Sequence, residues 1–404
     1  MLAKLSLYYR KLVPYPIRHG IRQFAYRLIC MIRRDAFVNT DDKVFKEKVE
    51  VIYSENVQLF YAISNIDENR KVTKSYINNV YRFRNVSCFG ASDIIKLDKY
   101  HYFYEVRDYY RNGRKDGITC CEGVGMKVDE RGYYLLQRYT LREHIKKGIL
   151  LSSYFADNYY HFTFQSLAKL RLCGEIEKNI PLLVHESVTK YPSFQQLLGI
   201  CNVDKRELIM LSTDKQYDVD ELYYISPQMI SVPNYRVGAI KMPDDDLYCE
   251  ESLAYLREMM LPHMDMEFKV SEKVFLQRRF ASSRRGYNEE ECEQLLTEYG
   301  FVGVRPESLT LGQQIAMFNK AKCIVGATGA AFTNLVYANP NSKYIALEGA
   351  RSGESIFSSL AAFNGAHLVY LCDSSRGVLT DASQEHGEFH IDVNDLKLLI
   401  EKIV

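Results

Sequence analysis

The stretch Ile324-Val325-Gly326-Ala327-Thr328-Gly329-Ala330-Ala331-Phe332-Thr333-Asn334-Leu335-Val336-Tyr337-Ala338-Asn339-Pro340 decides the fold. A short apolar strand, Cys323 to Val325, runs into a turn of small residues, and a helical segment follows. Gly326, Gly329 and Ala330 carry little side-chain bulk, so their backbone N–H groups can approach a bound anion. The positive end of the next helix adds attraction for phosphate. The spacing is neither that of a Walker A loop nor Gly-x-Gly-x-x-Gly. Strand–turn–helix units rich in Gly and Ala also arise for packing alone.

Outward from this loop, Val274-Phe275-Leu276-Gln277 reads as a buried strand, followed by Arg278, Arg279, Ser282, Ser283, Arg284, Arg285, Asn288, Glu289 and Glu290. Guanidinium forks bind phosphate oxygens bidentately and keep their charge near neutral pH, so this cluster is a candidate anion site. A solvated basic loop offset by Glu289–Glu291 is the alternative. The order of elements favours the anion site: strand, Arg loop, helix, a Pro306–Leu309 turn, a helix from Leu311 to Asn319, strand, Gly loop, helix. Such alternation describes a doubly wound half whose ligand crevice lies at the strand carboxyl ends, and both loops fall there.

These residues carry a family pattern. Phe275 to Glu348 resembles the catalytic domain of glycosyltransferase family 61, in the Arg-bearing strand end, Arg284 with Asn288-Glu289, Pro306-Glu307-x-Leu309 with Gln314, the loop 326–334 and Pro340. An earlier match is Asp157-Asn158-Tyr159-Tyr160-His161, where the family carries Asn-Tyr-x-His before a helix. The likeness spans about residues 145–390, and the ordered set is more specific than any single motif. Thr328 stands where the family has a loop histidine, and Ala331 replaces its third loop glycine.

The resemblance implies an α/β GT-B fold: two Rossmann-like domains facing across a cleft, with donor on the C-terminal one and acceptor on the other. It implies an inverting glycosyltransferase that moves a sugar from a nucleotide-diphosphate donor, a UDP-sugar by expectation, to a hydroxyl of a glycan or lipid-linked glycan. Surface (capsular) polysaccharide biosynthesis is the expected setting. No cofactor and no metal are expected. Asp244-Asp245-Asp246 is expected to open a helix, where acids favour the dipole.

Donor binding falls to Arg284, the Gly329 and Ala330 amides and a hydroxyl from Thr328 or Thr333, with Arg278 or Arg279 in support. Asn288 and Glu289 orient the Arg loop, Asn334 belongs to the donor loop, and Glu348 reaches the nucleotide ribose or serves as an ordinary capping acid. Asp157 and His161 are the candidate catalytic bases, and Asn158 supports their turn. A nucleotide- or sugar-binding relative with weak catalysis, a polysaccharide pyruvyltransferase and a nucleotide-sugar epimerase are the other classes compatible with the pattern.

The expected organisation is a basic amphipathic segment over 1–40, an acceptor-side domain over 41–232, a nucleotide-sugar domain over 233–390 and a C-terminal helix over 391–404 that crosses back to the first domain. Pro227–Pro243 is the expected connection. The first 34 residues hold eight Lys/Arg and no acid, with Ile17, Ile21, Phe24, Leu28 and Met31 near helical spacing, a pattern able to lie on an anionic membrane surface. A helix packed on the protein body has the same pattern. At 404 residues the chain can bury two cores. A net charge of +1 gives no global field for nucleic acid. The 10 cysteines include no Cys-x-x-Cys and read as packed thiols, which favours a reducing, cytoplasmic setting, with contact to the inner membrane face expected from the basic segment alone.

Overall fold

The computed structural model describes residues 36–64, 69–106, 127–128, 134–135, 139–231, 243–278, 286–349, 355–376 and 387–404. The basic N-terminal segment lies almost wholly outside the described residues. The first sheet contains β1 (Ala36–Val38), β2 (Val49–Ser64), β3 (Asn69–Phe89), β4 (Ile95–Lys96) and β5 (His101–Phe103). A separate pair, β6 (Lys127–Val128) and β7 (Tyr134–Leu135), follows. The first sheet resumes with β8 (Leu141–Leu150), β9 (Leu182–His185), β10 (Leu208–Leu211), β11 (Lys215–Ile225), β12 (Met229–Ser231) and β13 (Asp246–Cys249). The second sheet is β14 (Lys273–Leu276), β15 (Val302–Val304), β16 (Cys323–Ala327), β17 (Lys343–Glu348) and β18 (His367–Cys372).

The second sheet is wholly parallel, in the order β15-β14-β16-β17-β18. Its strands are short apolar runs, and all of β16 is buried, as expected of strands covered on both faces. Side chains alternate strictly. Phe275, Val325, Ile345, Leu347 and Val369 face the helices Glu289–Glu298 and Val393–Ile403. Val274, Leu276, Ile324, Tyr344 and Leu368 face the helices Leu311–Lys320 and Ile356–Phe363. Helices on both faces and a strand order that reverses beside the first strand define a doubly wound unit, whose switch point lies between β14 and β16.

The first sheet is mixed rather than a simple Rossmann-like layer. β11, β8, β9 and β10 run parallel, but β11 also pairs antiparallel with β3, and β3 with the long β2. β13 pairs with β12 and β2, so this sheet extends past the expected 232/233 boundary. The two halves do not stand apart. Phe60, Ile149, Phe164 and Tyr248 of the first belong to the same continuous core as Leu276, Phe332 and Tyr344 of the second. The hairpin also bonds directly to the second half: Ala62 N donates to Ser359 Oγ at 2.8 Å, and Ser358 Oγ donates to Ala62 O at 2.6 Å.

Four local expectations change. Asp244 and Asp245 lie in a single 3-10 turn and Asp246 begins β13, so the helix starts at Glu250. Asp244 pairs with Lys74 at 2.9 Å and Asp246 accepts from Ser231 Oγ at 2.6 Å, which commits both to the first sheet. The final helix stays with the second half: Asp392 caps it through Asn394 N, and Leu396, Leu399, Ile400 and Ile403 pack on Cys292 and Leu296. The segment after the Gly loop, Ala330–Tyr337, is a 3-10 helix. Asn364, Arg257 and Asn319 side chains take its carbonyls at Leu335, Val336 and Tyr337, in place of a further helical turn.

The segment after His161 is not amphipathic. Phe162–Ser166 forms a π turn with all five residues buried, wedged by Phe162 stacked on Phe194 at 4.2 Å and Phe164 edge-on to Tyr248 at 5.5 Å. Thr163 Oγ1 donates back to Tyr159 O at 2.7 Å, a bond that competes with regular helix.

Candidate active site

The switch point places two loops side by side. Leu276 at the end of β14 is in register with Gly326 of β16. A Cβ at Gly326 would stand 2.8 Å from Leu276 Cβ, so this glycine lets the two strands close up rather than meeting an anion. Beyond the strands, Arg278 Nη1 donates to Thr328 O at 2.9 Å and joins the two loops across the crevice. Glu289, nearly fully buried, accepts from Arg278 N at 2.7 Å and fixes the start of the Arg loop. Arg279 and Arg284 lie outside the described residues.

Asn288 clamps the second half: Nδ2 donates to Ile391 O at 2.9 Å and Oδ1 accepts from Ile391 N at 2.8 Å. Its amide is thus committed to folding the loop. In the Gly loop, Thr328 is buried and its N–H donates to Leu347 O at 3.0 Å, while Gly329 is half-buried and Ala330 exposed. Gly329 has extended backbone, with the Arg278 guanidinium about 4 Å from where a Cβ would stand. Thr333 Oγ1 is buried with no hydrogen-bond partner, an orphan polar atom inside the loop. Glu348 is buried at the carboxyl end of β17, and its carbonyl accepts from Asp373 N at 3.0 Å.

Asn334 links the halves. It is fully buried, Oδ1 accepts from Tyr159 OH at 3.1 Å, and Nδ2 donates to Gln314 Oε1 at 3.0 Å. Gln314 Nε2 in turn donates to the carbonyls of Pro306 and Leu309, at 3.0 and 3.2 Å. Loss of hydration raises the Tyr159 phenol above its ordinary pKa, so it remains a proton donor in this chain. The motif residues scattered between 159 and 334 therefore form one hydrogen-bonded string, and Asn334 serves as its buried hub.

That string brings the 154–161 turn, which follows β8, against the Gly-loop helix. Asn158 Oδ1 accepts from Tyr160 N at 2.9 Å and caps the turn as expected. Tyr160 and Tyr248 share a short hydroxyl–hydroxyl bond, and Tyr248 OH donates to Ile356 O at 3.2 Å. Asp157 is exposed on this turn. His161 Nδ1 lies 3.1 Å from Gln165 Oε1. Beside the turn, His185 Nδ1 lies 2.8 Å from Ser187 Oγ and Nε2 lies 2.9 Å from Thr213 Oγ1. Desolvation lowers its pKa, opposed by the nearby Asp157 charge. The sequence reading did not single out His185.

Also missed were the buried ionisable groups behind the parallel strands of the first sheet. Lys169, with no exposed surface, pairs with Asp93, and burial raises the Asp93 carboxyl against the pull of that lysine. Glu105 accepts from Ser226 Oγ at 2.7 Å while Oε2 has no partner, and desolvation pushes it up to about 7. No linear pattern in the sequence flags either group.

Arg278 thus joins two loops beyond the carboxyl ends of β14 and β16, and the turn bearing Asp157 and His161 is tied to the second loop through Tyr159 and Asn334. Residues 159–345 match the family model described as Glycosyltransferase 61. Residues 159–345 thus carry a glycosyltransferase 61 domain, and this domain supports membership of that family and a glycosyltransferase activity. No curated protein matches it.

Proposed function

We propose that this protein is an inverting, metal-independent transferase acting in GT-B fashion, with a nucleotide-diphosphate sugar, a UDP-sugar by preference, as donor. The acceptor is a hydroxyl of a glycan or lipid-linked glycan in surface polysaccharide synthesis. The observation that carries the reading is the Arg278 bridge to Thr328 across the β14/β16 switch point, with the Asp157–His161 turn tied to the same loop through Tyr159 and Asn334. A wholly parallel second sheet, beside a first sheet with four parallel neighbours, supports the GT-B reading.

Asp157 or His161 takes the proton of the acceptor hydroxyl as its oxygen attacks the anomeric carbon from the face opposite the diphosphate. The carbon–oxygen bond to the diphosphate breaks, the bonding pair leaves with it, and configuration inverts. Arg284, supported by Arg278 and the Gly329 and Ala330 amides, balances the charge that develops on the leaving group. Thr328 supplies a hydroxyl where the family has imidazole, Thr333 a second hydroxyl, and Glu348 the ribose contact. Residues 1–34 supply a peripheral contact with the inner face of an anionic membrane, at the site of a lipid-linked acceptor.

A thermal-shift and calorimetry screen of UDP, GDP, CDP, CMP, ADP and TDP without metal tests this. One nucleotide diphosphate is expected to bind selectively. Arg284→Ala is expected to abolish that binding, whereas Asp157→Ala or His161→Ala leaves it intact and removes transfer. Wild-type affinity in Arg284→Ala refutes the donor assignment.

A further inference from the structure

Phe155 has left-handed backbone, φ +50°, a conformation that bulky L residues adopt only where the surroundings impose it. The turn imposes it here: Asn158 N donates to Phe155 O at 2.8 Å, and the chain reverses immediately after β8. The ring is not buried in return. Phe155 is 49 % exposed, so apolar packing does not explain the strained conformation. Its ring lies 3.8 Å from Tyr154 and 5.3 Å from His161, and Tyr160 stands edge-on to that imidazole at 5.2 Å. A singly exposed phenylalanine is ordinary on a protein surface. This one combines strain, exposure and a ring contact with a candidate base, two residues before Asp157.

We propose that Tyr154, Phe155 and His161 form a shelf on which the pyranose ring of the acceptor stacks. The proposal rests on the transferase reading and adds the acceptor subsite to it. An exposed aromatic face takes the apolar C–H face of a sugar, while Asp157 and the imidazole beside it meet hydroxyls at the ring edge. The shelf is held in place through Tyr159, four residues on, whose hydroxyl bonds to Asn334 of the donor loop. A sugar on the shelf therefore sits at a distance from the donor crevice that the fold itself sets.

The sequence has no tryptophan, so Phe155→Trp makes a unique fluorescent reporter in the full chain. Methyl β-galactoside, methyl β-glucoside, methyl α-mannoside and methyl β-N-acetylglucosaminide are the probes. A saturable emission change with at least one of them is expected, and no change with any overturns the shelf. Phe155→Asn, which accepts the left-handed backbone, separates binding from folding. Saturation-transfer NMR with the same glycoside is expected to show about fivefold or greater weakening in this variant, with an unchanged or raised melting temperature. Unchanged glycoside binding, or a fall in melting temperature that marks the ring as structural, overturns the proposal. Nucleotide binding is read separately: glycosides without nucleotide sink the transferase reading and spare the shelf, and nucleotide without glycosides does the reverse.

Discussion

The two sheets reach the same crevice by different means. The second contributes short parallel strands, a glycine that lets β14 and β16 close up, and charged groups that sit beyond the strand ends. The first mixes parallel and antiparallel pairs and keeps ionisable groups inside: Lys169 with Asp93, and Glu105 among hydroxyls. The first half, built around desolvated ionisable groups such as Asp93 and Glu105, is expected to respond to pH. The difference predicts where stability and pH sensitivity reside.

The largest effect is expected at Lys169. Lys169→Ala leaves the Asp93 carboxylate buried and alone, a loss of about 3–5 kcal/mol in chemical denaturation. Pairing Lys169→Met with Asp93→Leu should recover most of it. A cost below about 1 kcal/mol for the single change would mean the pair is hydrated and the contrast between the halves is weaker than drawn.

Glu105 comes next. Its folded-state pKa, about 7, stands above the ordinary 4.5, so the folded state prefers the acid form. The associated stability is fully present below about 4.5 and is lost as pH rises through about 7. Wild-type denaturation midpoints should therefore fall between about pH 5 and 8, by up to about 3 kcal/mol, and Glu105→Gln should flatten that fall. An equal slope in the variant assigns the pH response elsewhere.

The smallest effect belongs to the second half. Thr310 and Gln313 form a reciprocal capping box at the helix before β16. Thr310→Ala should cost about 1 kcal/mol, independent of pH between 5 and 8. A pH-dependent cost would blur the distinction between the halves.

The same contrast explains what the sequence made legible. Strands β14, β16 and β17 are compact apolar runs bounded by turn signals and could be read directly, whereas the short, largely exposed β15 could not. The first sheet owes its shape to long-range pairing: the reach of β2 and β3, and the return of β13 to β2, depend on partners far along the chain. The 3-10 form of Ala330–Tyr337 was hidden for a similar reason, since distant Arg257, Asn319 and Asn364 supply its carbonyl partners. Phe155 gave no signal because its meaning lies in a backbone angle. Asn334 was legible as part of a motif, but its burial between Tyr159 and Gln314 was not.

The serine bonds from the Ile356–Phe363 helix to Ala62, with the core that runs through both halves, have a dynamic consequence. A hinge that swung the halves apart would break those bonds and expose a shared interior, so large-scale opening is energetically remote. Substrates must then enter and leave by local rearrangement at the rim of the crevice. The overall dimensions of the molecule should therefore stay constant when a ligand binds.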